Sequence, residues 1–257
     1  MRRLGPIAGL IFDLGHTLIH TPGGQSWAAT LNRMRADLLR ALADAGYDLD
    51  PADFLARFAA RLREYDEQRQ SDWVEYTTGY LLSATLEEMG APPPAPDVLA
   101  QALAAFYRYS ESLWQPVPAL HPTLQGLAAQ GYRLGLISNA GDAENVRRLI
   151  AAADLGQYFD PIVISAAVGL RKPNPAIFKI VLDAWGLPPA QCVMIGDTLG
   201  ADILGAQLAG LRNVWVTNHA GHPANVAHRG NILPEAQIPG IADLPALLQE
   251  RSETTDG

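Results

Sequence analysis

Asp13 stands at the end of an apolar run, Leu10-Ile11-Phe12-Asp13. A carboxylate at the carboxyl end of a predicted strand is a candidate nucleophile, because ligand sites of open parallel sheets form outside those strand ends. Three further groups stand at or just beyond predicted strand ends. Ser138 and Asn139 close the run Leu136-Ile137-Ser138-Asn139, ahead of a helix start near Asp142. A hydroxyl and an amide at that place suit phosphate oxygens, or simply begin a helix. Lys172 lies in Gly169-Leu170-Arg171-Lys172-Pro173-Asn174-Pro175. Of 19 basic residues only Lys172 and Lys179 are lysines, and the two prolines stiffen the loop, so Lys172 reads either as a held cation or as a solvated loop residue. Asp197 follows Val193-Met194-Ile195-Gly196, and Asp202 comes five residues later. Such a pair of hard oxygen ligands suits Mg²⁺, or caps a helix.

The elements that must position these groups fall into two regions. From about residue 112 onward, strand-like runs (Tyr132 to Ser138, Pro161 to Ser165, Cys192 to Gly196, Asn213 to Thr217) alternate with helical ones (120–130, 143–153, 175–186, 200–209). Gly131, Gly186 and Gly210 follow three of the helices, where a left-handed C-terminal cap is expected. The run 4–13 adds a strand. This alternation predicts an α/β fold, a parallel sheet with helices on both faces. Residues 21–111 contain almost nothing strand-like. Ala28 to Ala45, Ala52 to Asp66, Trp73 to Met89 and Pro96 to Tyr109 carry apolar residues at helical spacing, with Asp50-Pro51 and Asp72 as helix starts. The sequence therefore predicts a helical insert at 21–111 in a core formed by 1–20 and 112–257. Thr21-Pro22-Gly23-Gly24 and Trp114 to Pro118 are the hinges, and the tail Ser252 to Gly257 is expected to be disordered.

Composition narrows the classes. A formal charge of −8 and a pI of about 5.2 argue against a nucleic-acid partner. The single cysteine, Cys192, allows no internal disulfide and reads as a buried small hydrophobe. Met1-Arg2-Arg3-Leu4 mimics a signal peptide, but the following apolar stretch is interrupted by Asp13 and lacks a small-residue cleavage site. No run approaches the ~20 apolar residues of a membrane span. No membrane partner and a cytoplasmic location are expected.

Phe12-Asp13-x-x-x-Thr17-Leu18, Ser138-Asn139, Arg171-Lys172-Pro173 and Gly196-Asp197-x-x-x-x-Asp202 occur in that order, with the helical insert after the first. The set resembles the haloacid dehalogenase-like hydrolase superfamily, most closely the subfamily whose helical cap is inserted just after the first motif. The likeness spans about residues 7 to 250. It implies a three-layer, doubly wound, Rossmann-like core with a smaller all-helical cap. It also implies a Mg²⁺-dependent hydrolase of small phosphorylated metabolites. In that scheme Asp13 attacks phosphorus and forms an aspartyl phosphate, and Thr17 supports the first-motif loop. Ser138 and Asn139 bind phosphate oxygens, and Lys172 offsets charge. Asp13, the Gly15 carbonyl and Asp197 ligate the metal, with Asp202 supporting it.

One position departs from the family pattern. The residue two beyond the nucleophile is usually an aspartate that protonates the leaving oxygen and then activates water; here it is Gly15. Such assistance is typically worth about 10² to 10⁴ in rate. Glycine keeps the backbone carbonyl and loses the proton shuttle. Four readings are therefore open: a phosphatase or phosphotransferase acting on a good leaving group; proton transfer by His16 or His20; a metal-independent 2-haloacid dehalogenase with a cap arginine such as Arg33, Arg35 or Arg40; or a catalytically impaired binding or regulatory protein. Asp197 weighs against the dehalogenase. Phosphonoacetaldehyde hydrolases need a cap lysine, and 21–111 has none. His16 is expected to pack rather than react. His219, His222 and His228 read as solvated loop residues, and Trp27, Trp73, Tyr76 and Tyr80 mostly as insert core, with one or two of them facing the substrate.

Overall fold

The computed structural model describes residues 7–23 and 26–253. Its centre is a six-stranded, all-parallel sheet. In chain order the elements are β1 (Gly9–Phe12), β2 (Ile19–His20), α1 (Trp27–Asp44), α2 (Pro51–Gln68), α3 (Thr78–Glu88), α4 (Pro96–Glu111), β3 (Gln115–Pro116), α5 (Leu120–Ala129), β4 (Arg133–Ser138), α6 (Ala143–Ala152), β5 (Ile162–Ile164), α7 (Ser165–Val168), α8 (Pro175–Trp185), β6 (Cys192–Gly196), α9 (Leu204–Leu208), β7 (Arg212–Val216), α10 (Pro223–Val226), β8 (Ala236–Ile238) and α11 (Leu244–Glu253). The sheet order is β5-β4-β1-β6-β7-β8. Strands covered on both faces read as unbroken apolar runs, and β1 and β6 are buried along their whole length.

Alternate residues of each strand face opposite layers. Leu10 and Phe12 pack with Leu136, Ile195 and the apolar sides of α5, α6 and α11. Ile11 goes the other way, with Ile137, Met194 and Cys192, against Ile177, Phe178 and Val181 of α8. The result is a three-layer, Rossmann-like α/β core. Cys192 is fully buried, and burial pushes its thiol up to about 11. Gly131, Gly186 and Gly210 have φ of 88°, 63° and 74°, the left-handed caps expected of them.

Helices α1 to α4 form the cap, with an apolar cluster of their own that includes Met34, Leu38, Phe54, Phe58, Leu82 and Phe106. The short strands β2 and β3 pair antiparallel where the chain enters and leaves this layer. Two expectations fail here. Trp73 to Met89 is not one helix: the chain is irregular from Trp73, at φ 53°, until Thr77 caps α3 by accepting from the Tyr80 N–H. Between them Val74 bridges to Leu170, and Glu75 N–H donates to the Gly169 carbonyl, so pairing with the core overrides helical periodicity. Trp27 and Tyr80 are not insert core; they are 64% and 57% exposed. At the far end, Ser252 and Glu253 fall within α11, and 254–257 lie outside the described residues. The start of the predicted first strand, 4–6, lies outside them too. Among the described residues no helix is long and apolar enough to cross a membrane.

Candidate active site

Parallel register brings distant parts of the chain together. Phe12 is level with Leu136 of β4 on one side and Ile195 of β6 on the other. Asp13, Ser138 and Asp197 therefore emerge at the same edge, in the crevice outside the carboxyl ends of the strands. The Asp13 N–H donates to the Ile195 carbonyl (2.9 Å), which fixes the Asp13 backbone to β6.

Lys172 is the hub. It is 2% exposed, and its ammonium has three N–H groups to place. Nζ lies 2.6 Å from Asp13 Oδ1, 2.7 Å from Asp202 Oδ1 and 2.8 Å from the Ile137 carbonyl. Burial lowers the pKa of this amine, but Asp13 and Asp202 outweigh it, so the group is held above the ordinary lysine value and stays charged. The loop lysine is thus a buried ion-pair partner, not a solvated residue. Asn139 clamps its loop: Lys172 N–H donates to Asn139 Oδ1 and Asn139 Nδ2 donates to the Lys172 carbonyl, both at 2.8 Å. That geometry gives Asn139 the task of positioning the Lys172 loop.

Asp202 is carried by a π-helical turn, Leu199–Ile203, a kind of irregularity common at functional sites. Its Oδ2 accepts from the Thr198 N–H (2.9 Å), and its carboxyl lies against Gly196. A Cβ on residue 196 would come within 3.0 Å of that carboxyl, so glycine is needed there for close approach. Asp13, Asp197 and Asp202 place carboxylate oxygens within 4.8 Å of one another. Burial, then Asp13, then Asp202, push Asp197 up to about 8. Burial holds Asp202 up to about 6, with Lys172 pulling the other way. Three carboxylates face one ammonium, a donor set that a hard divalent cation would neutralise.

Ser138 is 5% exposed and lines the cleft with Asp13, Gly15, Lys172 and Asp197. Thr17 does not. Next to His16, which is turned into the left-handed region (φ 57°), Thr17 is buried, with its hydroxyl unpartnered among the described residues. The first-motif loop is instead held by backbone bonds, Leu18 and Ile19 N–H to the Leu14 carbonyl and His16 N–H to the Ile19 carbonyl. Arg33 and Arg40 pair with Asp37 on the outside of α1, and neither they nor Arg35 line the cleft.

Several residues gather here that the sequence reading left elsewhere. His219 is not a solvated loop residue: its Nδ1 lies 3.3 Å from Asp197 Oδ2. His16 and His219 stack at 3.9 Å between centroids, and His219 and His222 at 4.9 Å. Burial, then His219, lowers His16 to about 4, so it is neutral at pH 7. Asn225 is 1% exposed; its Nδ2 donates to the Asp197 carbonyl (2.9 Å) and its Oδ1 accepts from the Leu199 N–H (2.8 Å). It ties the 217–230 segment to the Asp197–Leu199 stretch at the end of β6. No local signal marks it, because a buried asparagine and a loop asparagine read alike. Glu75 of the cap is also buried, accepting from Tyr65 Oη and from Ser165 Oγ (2.7 Å) and lying 3.8 Å from Arg171 Nε.

The family model for haloacid dehalogenase-like hydrolases matches residues 7–210. A glyceraldehyde 3-phosphate phosphatase of Methanothermobacter thermautotrophicus is 29% identical over 94% of this chain and 100% of that protein. A phosphoserine phosphatase of Thermus thermophilus is 35% identical over 51% of each chain. Among solved structures, a 2-haloacid dehalogenase of Pseudomonas syringae superposes with a TM-score of 0.66 at 26% identity, covering 95% of this chain and 99% of that one. Its α/β core, its helical cap and its family match make this chain a member of the haloacid dehalogenase-like hydrolases.

Proposed function

We propose that the chain is a phosphatase of small phosphorylated metabolites that works through an aspartyl phosphate on Asp13. The observation that carries this reading is the Lys172 ammonium shared by Asp13 (2.6 Å) and Asp202 (2.7 Å), beside Asp197. With Oδ1 held by Lys172, the other oxygen of Asp13 attacks phosphorus. The bond to the leaving oxygen breaks with its electron pair. Water then attacks phosphorus and releases Asp13. Lys172 keeps Asp13 oriented and reduces the repulsion between two anions. The Ser138 hydroxyl and the remaining Asn139 N–H donate to phosphoryl oxygens.

The three carboxylates fit Mg²⁺: hard oxygen donors carrying more negative charge than Lys172 balances. Asp13, Asp197 and the Gly15 carbonyl would hold it, with Asp202 braced against Lys172 and the Thr198 N–H. When bound, the metal supplies charge stabilisation to the phosphoryl oxygens. The deciding experiment compares phosphate esters, acyl phosphates and chloroacetate, each with Mg²⁺ and with EDTA. Metal-dependent phosphate release that Asp13→Asn abolishes, together with loss of a hydroxylamine-sensitive phosphoenzyme, is expected. Metal-independent chloride release would overturn this in favour of a dehalogenase. No turnover and no Mg²⁺ binding by calorimetry would point to a non-catalytic protein.

A further inference from the structure

Beside the nucleophile's cleft lies a second cavity of about 580 Å³. The two share His16, Trp27, Ser110, Trp114, His219 and His222, so the second continues the first. Its described lining contains no Lys, Arg, Asp or Glu. One wall is a run of rings: Trp114 against His16 at 5.1 Å, His16 on His219 at 3.9 Å, His219 on His222 at 4.9 Å. Trp27, from the first turn of α1, lines both cavities and is 64% exposed, so most of its surface is open to contact.

Charge argues the same way. Besides Lys172, the lining of the nucleophile's cleft includes one further Lys or Arg, Arg171. Its guanidinium is engaged by the cap: NH1 donates to Tyr65 Oη (2.9 Å), Nε lies 3.8 Å from buried Glu75, and the Tyr65 ring lies under it at 5.9 Å. A substrate with a carboxylate beyond its phosphate would bury that charge beside no available cation, which is costly. Gly15 adds an independent constraint. With no carboxyl two residues beyond Asp13, the leaving oxygen departs without that proton donor. It must be stable as an anion, as a phenol oxygen is and an alkyl oxygen is not.

We propose that the preferred substrates are aryl phosphates: phosphomonoesters whose leaving group is an uncharged aromatic ring bearing the ester oxygen, stacked between Trp27 and the Trp114–histidine wall. This rests on the phosphatase reading of the same site. Asp13 attacks phosphorus and the phosphorus–oxygen bond to the ring breaks, its electron pair leaving as the phenolate. The phenolate is protonated by solvent after release. Water attacks the aspartyl phosphate, gives its proton to solvent and restores the Asp13 carboxylate with inorganic phosphate.

The test uses the Mg²⁺-loaded protein and four probes that separate ring from leaving group: 1-naphthyl phosphate (ring, phenolic oxygen), benzyl phosphate (ring, alkyl oxygen), acetyl phosphate (no ring, good leaving group) and glycerol 3-phosphate (neither). The highest kcat/KM is expected for 1-naphthyl phosphate, and a lower KM for benzyl phosphate than for glycerol 3-phosphate. Trp27→Ala, at an exposed site, should cut the ratio of kcat/KM for 1-naphthyl to acetyl phosphate by about tenfold, the size of a lost stacking contact. Turnover of acetyl and glycerol phosphates equal to that of 1-naphthyl phosphate, with a ratio unmoved by Trp27→Ala, overturns the proposal and leaves the phosphatase intact. Failure of all four probes to label Asp13 overturns both.

Discussion

Gly15→Asp places a carboxyl two residues beyond Asp13. The backbone accepts it. A Cβ there would meet only the Trp114 indole, at 3.5 and 3.9 Å, which is ordinary contact, and residue 15 is outside the left-handed region. The side chain would enter the cleft that Gly15 lines with Asp13, Ser138 and Lys172. A positioned acid is worth about 10² to 10⁴, or roughly 2.7 to 5.4 kcal/mol of barrier. The full range needs a poor leaving group. An alkyl oxygen ionises only far above the range of a phenol, which does so near ~10 and gains less. A fourth carboxyl beside Asp13, Asp197 and Asp202 also repels the phosphate dianion when it is ionised. The lower end is therefore expected: about 10²-fold in kcat for glycerol 3-phosphate and under about tenfold for 1-naphthyl phosphate. The assay is steady-state phosphate release with Mg²⁺ between pH 5 and 9, where the variant should gain a pH limb on the alkyl ester. A folded variant that still forms the phosphoenzyme from 1-naphthyl phosphate, yet hydrolyses glycerol 3-phosphate no faster than the parent, would refute the reasoning.

Other perturbations probe the scaffold. Gly196→Ala forces the Asp202 carboxyl away from its place, and through Lys172 the shift reaches Asp13; a fall in kcat of about 10² or more is expected, the usual cost of a misplaced reacting group. Asn225→Ala removes a donor to the Asp197 carbonyl and strands the Leu199 N–H; denaturant melts should show a loss of about 1–3 kcal/mol, with weaker Mg²⁺ binding by calorimetry. The raised Asp197 makes the metal-free protein pH-sensitive. Its folded value, about 8, lies above the unfolded value of 3.8, so the folded state holds the extra proton between them and stability falls as pH rises through that window. Thermal melts in EDTA should therefore show a Tm that drops from pH 5 to pH 8, and the Tm gain from Mg²⁺ should be larger at pH 8; the opposite ordering would remove Asp197 as the responsible group.

Much of this was legible in the chain. Parallel strands buried on both faces must be continuous apolar runs, so β1, β4 and β6 and the groups at their ends stood out, Asp13, Ser138 and Asp197 among them. Helix ends were legible where one side chain or one glycine decides them: Asp142 caps α6 by accepting from the Asn145 N–H, and Gly186 closes α8. Trp73 to Thr77 was not, because helical periodicity is a local preference. Pairing of Val74 with Leu170 and burial of Glu75 against Ser165 outweigh it.

Motif order and spacing alone determined the family of the chain and the missing carboxyl at Gly15. Each motif is a property of residues a few positions apart, and their order is read along the chain. Only the tertiary structure decided that His219 faces Asp197 and that Asn225 braces it. The same holds for Trp27 and Trp114, which line an uncharged cavity beside the Asp13 cleft, and for Glu75 and Tyr65, which engage Arg171. Those contacts join residues tens to more than a hundred positions apart. Sheet register and the docking of the cap set them, and neither leaves a local trace in the sequence.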